Sequence, residues 1–232
     1  MPASSQPKGV PVNIESDITG PHQGQPVLTI GAPLAEARAA MVMVHGRGAT
    51  AESILSLADE LHHPGFAYLA PQAAGNSWYP YSFLAPIERN EPWLTSALAL
   101  LDEVLEALIQ VGMPRERTIL LGFSQGACLC LEYVAHHPRP FGGVVGLSGG
   151  VIGPEGTPRN VPTDSPLAGT PIFLGCSDVD SHIPLARVHE STALLRRMGA
   201  TVTERIYPNM GHTVNRDELE VVREMMSALP QP

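Results

Sequence analysis

Residues 122–126, Gly-Phe-Ser-Gln-Gly, contain the side chain of this chain best suited to covalent chemistry. They follow the apolar run 118–121 and precede a helix-like segment, 127–136. A strand, a sharp turn and a helix, with serine at the turn, form a nucleophile elbow. Its glycines let the backbone bend tightly and lift the hydroxyl above the helix N-terminus. The pattern predicts that Ser124 is a nucleophile.

Residues 146–150, Gly-Leu-Ser-Gly-Gly, fit the same pattern after the apolar residues 143–145. The glycines and proline of residues 151–156 prevent a helix from starting cleanly behind them. Without a helix N-terminus, Ser148 lacks the dipole and the free N–H groups that stabilise an oxyanion. We therefore interpret Ser148 as part of a tight strand exit.

A serine hydroxyl becomes a useful nucleophile near neutral pH when an imidazole takes its proton and an acid orients that imidazole. Behind a nucleophile elbow, the acid and then the histidine follow the serine in the chain. Beyond the elbow helix the chain offers His182, His189 and His212. His189 falls inside a predicted helix, and His182 is the weaker rival. We predict that His212, in a Gly-containing turn between the last strand and the last helix, is the base.

The acid is expected in the turn after the predicted strand 172–174. This turn contains Asp178 and Asp180, and periodicity does not choose between them. The aspartate that is not the acid can accept hydrogen bonds from backbone N–H groups, as Asp commonly does in turns.

Two backbone N–H groups are expected to hold the oxyanion. One belongs to Gln125, directly after the nucleophile, and the other comes from a loop after an early strand. The Gly-rich loop 45–48, His-Gly-Arg-Gly, fits this role, and we assign the second N–H to Arg47. For the Arg47 side chain, contact with an acidic substrate group and ion pairing at the surface are equally open.

Strands and helices alternate along the chain. Apolar runs predict strands at 27–30, 41–45, 66–70, 118–121, 143–147, 172–174 and 201–207, and amphipathic spacing predicts helices at 50–62, 91–111, 127–136, 184–198 and 217–229. This order predicts the α/β class, with a mostly parallel central sheet covered by helices on both faces. Ligands of such sheets bind beyond the carboxyl ends of the strands. The irregular stretches 72–90 and 149–171 follow strands at that edge and are expected to shape the pocket.

Composition favours one domain. The chain has 232 residues, of which 44% are hydrophobic, and we predict a flexible N-terminal arm at residues 1–21 and a single domain at 22–232. A net charge of −9 without a basic cluster argues against a nucleic-acid partner. Three cysteines do not form a disulfide framework, and no metal-binding spacing is present, so we expect no metal and no cofactor. No apolar stretch is long enough to span a bilayer, and we expect a cytoplasmic protein.

The chain resembles the phospholipase/carboxylesterase family of α/β-hydrolases, whose relatives include acyl-protein thioesterases, from about residue 41 onward. The resemblance is carried by His-Gly-Arg-Gly at 45–48, Ala-Pro-Gln at 70–72, Trp-Tyr at 78–79, Gly-Phe-Ser-Gln-Gly at 122–126, Leu-Ser-Gly at 147–149, Asp-Ser-His-Ile-Pro at 180–184 and Gly-His at 211–212. It implies an α/β-hydrolase fold without a large lid domain. In this family the acid stands three residues before a Val-Pro or Ile-Pro pair, so the resemblance selects Asp180.

Two features differ from the thioesterase members. Arg47 stands where they usually carry an apolar residue, and residues 78–93 lack the pattern of a long acyl groove. These differences argue against a protein or phospholipid substrate. The aromatic residues of the same region are better suited to a compact short-acyl or aryl ester, and we predict that they bind the substrate: Trp78, Tyr79, Tyr81 and Phe83.

The resulting prediction is a serine carboxylesterase that hydrolyses a small-molecule ester through an acyl-enzyme on Ser124. The alternatives are a thioesterase, a lysophospholipase or a dienelactone-type hydrolase on the same scaffold. A less favoured alternative is a non-catalytic binding protein. A homodimer is compatible with the surface around the pocket, although no sequence signal demands one.

Overall fold

The computed structural model describes residues 9–12, 18–159 and 161–230. Within these ranges the strands are β1 (Val10–Val12), β2 (Val27–Gly31), β3 (Ala39–Val44), β4 (Phe66–Pro71), β5 (Thr118–Phe123), β6 (Gly143–Leu147), β7 (Pro171–Ser177) and β8 (Thr201–Tyr207). The α-helices are α1 (Ala51–Leu55), α2 (Leu57–Glu60), α3 (Trp93–Gln110), α4 (Gln125–His136), α5 (Leu185–Arg197) and α6 (Arg216–Ser227). Short 3₁₀ turns occur at Ala74–Asn76, Ile87–Asn90 and Arg115–Arg117.

One sheet organises the molecule. Its strand order is β1-β2-β4-β3-β5-β6-β7-β8. The β1–β2 and β2–β4 pairs are antiparallel, and all other neighbours are parallel. Because parallel strands all end at the same edge, the loops after β3, β5, β7 and β8 meet there. The predicted α/β class and mostly parallel sheet are confirmed.

Helices cover both faces of the sheet, which explains why its central strands are apolar without alternation. Every residue of β3 and β4 is buried. Helices α3, α4 and α5 pack in one apolar cluster, and α1, α2 and α6 contribute to the cluster on the opposite face. The shared sheet joins the two clusters into a single domain.

The predicted helix 50–62 is interrupted. Thr50 caps α1 as predicted, and its hydroxyl accepts from the Ser53 N–H in a capping box. However, α1 ends at Leu55 and α2 begins at Leu57. The Ser56 hydroxyl donates to the Ser53 carbonyl at 2.7 Å, a back-bond of the kind that bends helices.

Strand β1 was not predicted from the sequence, which placed its residues in a flexible arm. Val10 pairs opposite Thr29 of β2, and Ile18 is buried. The described part of segment 1–21 therefore contacts the domain, and the remainder lies outside the described residues. A three-residue edge strand is stabilised mainly by backbone pairing, which leaves little side-chain periodicity to detect.

Candidate active site

The turn between β5 and α4 holds Ser124 in an unusual backbone conformation. Its φ is 56° and its ψ is −119°, a region that costs free energy for a residue with a side chain. The Ser124 N–H donates to the Leu147 carbonyl at 2.9 Å, which anchors the turn to β6. A side chain at Gly126 would overlap the Val44 carbonyl, and one at Gly122 would overlap the Gly126 backbone. Close backbone packing therefore requires both glycines of the elbow.

Three side chains from distant segments meet above this turn. The Ser124 Oγ lies 2.8 Å from the His212 Nε2, and the His212 Nδ1 lies 2.7 Å from the Asp180 Oδ2. The second carboxylate oxygen of Asp180 accepts from the N–H groups of His182 at 2.8 Å and Ile183 at 3.0 Å. The loops after β5, β7 and β8 thus form a Ser-His-Asp array.

The hydrogen bonds around Asp180 determine its ionisation. Burial raises the pKa of this carboxyl, but the bonds from His212 and from two backbone N–H groups outweigh burial, so the pKa lies below its ordinary value. Asp180 is consequently a carboxylate at neutral pH and accepts the His212 Nδ1–H. The His212 Nε2 then carries a lone pair that faces the serine hydroxyl.

Aromatic contacts hold the imidazole in place. The His212 ring lies 5.1 Å from the Phe123 ring and 4.7 Å, edge to face, from the His182 ring. The Gly211 N–H donates to the Ser177 Oγ at 3.2 Å, which fixes the turn before the histidine. His182, the rival base in the sequence, packs against His212 instead of contacting Ser124.

Asp178 has a different environment from Asp180. Its Oδ1 accepts from the Asn209 N–H at 2.8 Å, and its own N–H donates to the Tyr207 carbonyl. Asp178 therefore links the loop after β7 to the loop that carries His212, which is the turn role left open by the sequence.

The two predicted oxyanion donors lie at the cleft beside Ser124. Gln125 is the first residue of α4, so its N–H has no acceptor within the helix. Among the described residues, no acceptor engages the Arg47 N–H either. A Cβ placed on Gly46 would lie 3.4 Å from the Ser124 Cβ, which shows how closely the Arg47 loop approaches the serine.

The side chain of Gln125 has a structural role that the sequence did not reveal. Its Oε1 accepts from the Trp78 N–H at 2.9 Å, and its Nε2 donates to the Tyr79 carbonyl at 2.8 Å. The side chain thereby attaches the 77–81 loop to the elbow. A glutamine directly after the serine in the motif is the only local signal for this contact.

A cleft of about 480 Å³ opens above Ser124. Its walls include Arg47, Tyr79, Tyr81, Phe83, Phe123, Gln125, Cys128, His182, Ile183 and His212. Cys128 was not predicted to line the site, although it stands four residues after Ser124 and therefore shares its face of α4. Three of the four aromatic residues predicted to bind substrate are thus present in the cleft.

The fourth, Trp78, requires a correction, because it does not line the cleft. It is 0% exposed, and its indole N–H donates to the His45 carbonyl at 2.8 Å. Its ring packs between the rings of His22 and His45, with centroids at 5.4 and 5.0 Å. The large apolar indole is better satisfied in the core, where it supports the base of the loop.

The stretch 149–171 contributes indirectly. None of its described residues lines the cleft, but the Gly153 N–H donates to the Phe83 carbonyl at 2.7 Å and so supports one cleft wall. Ser148, which precedes this stretch, is fully buried with a φ of 51° and no helix behind it, as expected for a strand exit.

No group of three or more His, Cys, Asp or Glu side chains in the described ranges is arranged to hold a metal ion. No helix in the same ranges is both long and apolar enough to cross a membrane.

A buried acid, Glu218, lies behind the histidine loop. One of its oxygens accepts from the Asn215 N–H at 2.8 Å in the capping box of α6, and the other has no partner among the described residues. Burial raises the pKa of this carboxyl to about 7. Because the folded pKa exceeds the unfolded one, the protonated acid favours folding at low pH, and this stability is lost as the pH rises through 7.

Replacing Glu218 with Gln is expected to remove this pH dependence, since the amide oxygen can still accept from Asn215. The wild-type protein should lose about 3 kcal/mol more than Glu218→Gln between pH 4 and pH 9. Urea unfolding at several pH values measures the difference. Glu220→Gln, an exposed position on the same helix, is the matched control and should behave like wild type. Parallel stability curves for wild type and Glu218→Gln would contradict the interpretation.

The chain matches a known protein family over most of its length. The phospholipase/carboxylesterase family model matches residues 26–229. A solved phospholipase/carboxylesterase from Dyadobacter fermentans is 40% identical, with a TM-score of 0.80 over 88% of this chain and 97% of that one. This likeness confirms the single-domain α/β-hydrolase fold.

Acyl-protein thioesterase 1 proteins are more distant relatives. The one from Gibberella zeae is 32% identical over 60% of this chain and 60% of its own length. The one from Debaryomyces hansenii is 26% identical over 84% of this chain and 92% of its own length. The chain spans between 56% and 60% of the length of several curated relatives that it matches. With the family model matched from residue 26 to residue 229, this chain belongs to the phospholipase/carboxylesterase family.

Proposed function

We propose that this protein is a serine carboxylesterase that hydrolyses small carboxylic esters through an acyl-enzyme. The observation that carries the proposal is the pair of hydrogen bonds at His212, 2.8 Å to the Ser124 Oγ and 2.7 Å to the Asp180 Oδ2. Ser124 is the nucleophile, His212 the general base and acid, and Asp180 the residue that orients the imidazole.

In the first half of the reaction, the Ser124 Oγ attacks the ester carbonyl carbon while its proton passes to the His212 Nε2. The carbonyl oxygen becomes an oxyanion and is held by the N–H groups of Arg47 and Gln125. The intermediate collapses as the imidazolium gives its proton to the departing alkoxide. The products are a free alcohol and an acyl group on Ser124.

In the second half, water attacks the acyl carbonyl and His212 accepts the water proton. The same two N–H groups stabilise the second oxyanion. Collapse of this intermediate returns the proton to the Ser124 Oγ and releases the carboxylic acid. Asp180 remains a carboxylate throughout and stabilises the positively charged imidazole in both halves.

The contacts that hold one wall of the cleft support a small substrate. Tyr79 and Phe83 are 1% and 7% exposed and form a wall of the cleft near Ser124. The loop that carries them is held by Gln125 and by the Arg47 side chain, which donates to the carbonyls of Pro80 at 2.9 Å and Tyr81 at 2.7 Å. A loop held in this way does not open readily for a long acyl chain.

An acyl-length series tests the substrate class. With para-nitrophenyl esters, kcat/KM should be highest for acetate to hexanoate and at least about tenfold lower for dodecanoate, because added methylenes meet a closed wall. The Ser124→Ala variant provides the background at each length. A steady rise in kcat/KM up to dodecanoate would contradict the short-acyl assignment while preserving the esterase.

Thioester hydrolysis is the second candidate, favoured by the relatives named acyl-protein thioesterase 1. The same array can attack a thioester carbonyl, and the thiolate leaves without needing protonation. Matched oxygen esters and thioesters with a common butyryl group separate the two activities. A kcat/KM ratio that favours the thioester far beyond the ratio of the uncatalysed rates would identify the thioesterase.

A further inference from the structure

The guanidinium of Arg47 is held rigidly at the mouth of the cleft. Its Nη1 donates to the Ser77 Oγ at 3.2 Å and to the Pro80 carbonyl at 2.9 Å, and its Nη2 donates to the Tyr81 carbonyl at 2.7 Å. The guanidinium carbon also lies 5.8 Å from the centre of the Tyr79 ring. An exposed arginine normally samples many rotamers, whereas this one is fixed by three neutral acceptors.

Among the described residues this fixed cation has no anionic partner. Within the described part of the chain, no carboxylate lies within ion-pair distance of Arg47, although several other arginines form ion pairs. The contrast is informative because the chain has 23 acidic and 14 basic residues. Three of the five guanidinium N–H groups are engaged, so the Nε–H and one Nη2–H are available to a ligand.

The rest of the cleft carries no negative charge on its described lining residues. Among its described lining residues there is no Asp or Glu, and the imidazoles of His182 and His212 face the same space. Asp180, the carboxylate of the Ser-His-Asp array, has a side chain that is 0% exposed and pairs with His212. A negatively charged group entering the cleft therefore meets a preorganised cation and no repelling carboxylate.

Resting on the proposed esterase function, we propose that Arg47 selects esters that carry a carboxylate, such as monoesters of dicarboxylic acids or esters of hydroxybenzoic acids. The backbone N–H of Arg47 donates to the oxyanion, while its side chain extends along the cleft wall. The carboxylate must therefore lie within about one arginine side-chain length of the scissile carbonyl. A guanidinium binds such a carboxylate through charge-assisted hydrogen bonds.

Two matched ester pairs test this selection and locate the charge. For the acyl side, para-nitrophenyl monoadipate is compared with para-nitrophenyl hexanoate. For the leaving-group side, para-acetoxybenzoate is compared with its methyl ester. Each kcat/KM is divided by the uncatalysed rate constant, so that the anionic-to-neutral ratio reports recognition by the enzyme.

In at least one pair the wild-type ratio should exceed that of Arg47→Gln by about tenfold. Arg47→Lys, which keeps the charge, should retain part of the preference. Arg223→Gln makes the same charge change on α6, away from the cleft, and should keep the wild-type ratio. Raising NaCl from about 0.05 M to about 0.5 M should reduce the wild-type ratio, because the cation is exposed.

The outcomes separate this proposal from the esterase itself. The selection of anions is overturned if the neutral esters are hydrolysed as efficiently as the anionic ones in both pairs, or if the ratio is unchanged in Arg47→Gln. Either result would leave the esterase assignment intact. No turnover of any of the four esters, together with no labelling of Ser124 by a fluorophosphonate, would overturn both. The neutral ester of each pair corrects for any loss of folding or of oxyanion stabilisation in the Arg47 variants.

Discussion

Replacing Ser124 with Ala is expected to lower kcat for ester hydrolysis by about five orders of magnitude, because the members of a Ser-His-Asp array act as a unit. The remaining rate would come from the oxyanion donors and from substrate positioning. The elbow should keep its shape, since alanine adds no atom to the crowded contacts at Gly122 and Gly126. Steady-state hydrolysis of para-nitrophenyl butyrate measures the effect, and burst kinetics of the wild type reports the acyl-enzyme.

Ser148→Ala is the matched control for this prediction. Ser148 occupies the second Gly-x-Ser-x-Gly match and has a positive φ like Ser124, but it is fully buried. Its removal should leave kcat within about threefold of wild type. A fluorophosphonate should label the wild type and Ser148→Ala, and it should not label Ser124→Ala. Near-wild-type turnover by Ser124→Ala would refute the nucleophile assignment, and wild-type protein that is folded but unlabelled would favour a non-catalytic binding protein.

Replacing Asp180 with Asn is expected to lower kcat by about 10³- to 10⁴-fold. With its Oδ1 held by the backbone N–H groups of His182 and Ile183, the amide turns its NH₂ group toward the His212 Nδ1. An NH₂ group only donates, so His212 is driven toward the tautomer that presents a proton, not a lone pair, to Ser124. Loss of the carboxylate also removes the charge that stabilises the imidazolium. The Asp180→Asn protein should fold, since its Oδ1 can still accept from the backbone N–H groups of His182 and Ile183.

Asp178→Asn is the control, because it makes the same carboxylate-to-amide change two residues away. Asp178 contacts the Asn209 N–H instead of the imidazole, so the predicted loss in kcat is less than about tenfold. Comparing the kcat values of both variants on one ester settles which aspartate orients the base. An equal or larger loss in Asp178→Asn would reverse the assignment of the acid.

The features that the sequence predicted well are local ones. The elbow could be identified because strand, glycines, serine and helix are consecutive, and α3 because its leucines recur at helical spacing up to Gly112. His212 could be chosen because it occupies a turn between two recognisable elements. In each case the deciding interactions join residues close in the chain, so their pattern is visible before folding.

Features that depend on packing between distant segments were harder to predict from the sequence. Asp178 and Asp180 are equivalent in the sequence, and only the resemblance distinguished them. Trp78 and Tyr79 are adjacent aromatic residues, yet Trp78 lies in the core and Tyr79 lines the cleft. The choice depends on which side of the loop faces the His45 carbonyl. The contacts of the Arg47 side chain with the 77–81 loop likewise span 30 residues or more.

The sequence by itself determined the α/β class, the order of most strands and helices, the elbow at Ser124 and the turn that holds His212. The residue pattern left the acid open between Asp178 and Asp180, the resemblance favoured Asp180, and the tertiary structure places Asp180 against the imidazole. The tertiary structure alone decided which aromatic residues line the cleft, and that Arg47 stands there as a fixed cation with no carboxylate of the described residues at ion-pair distance. The physical reason is that hydrophobic periodicity and turn chemistry act over a few residues. Side-chain direction and charge pairing across the cleft depend instead on how the sheet brings the ends of β3, β5, β7 and β8 together.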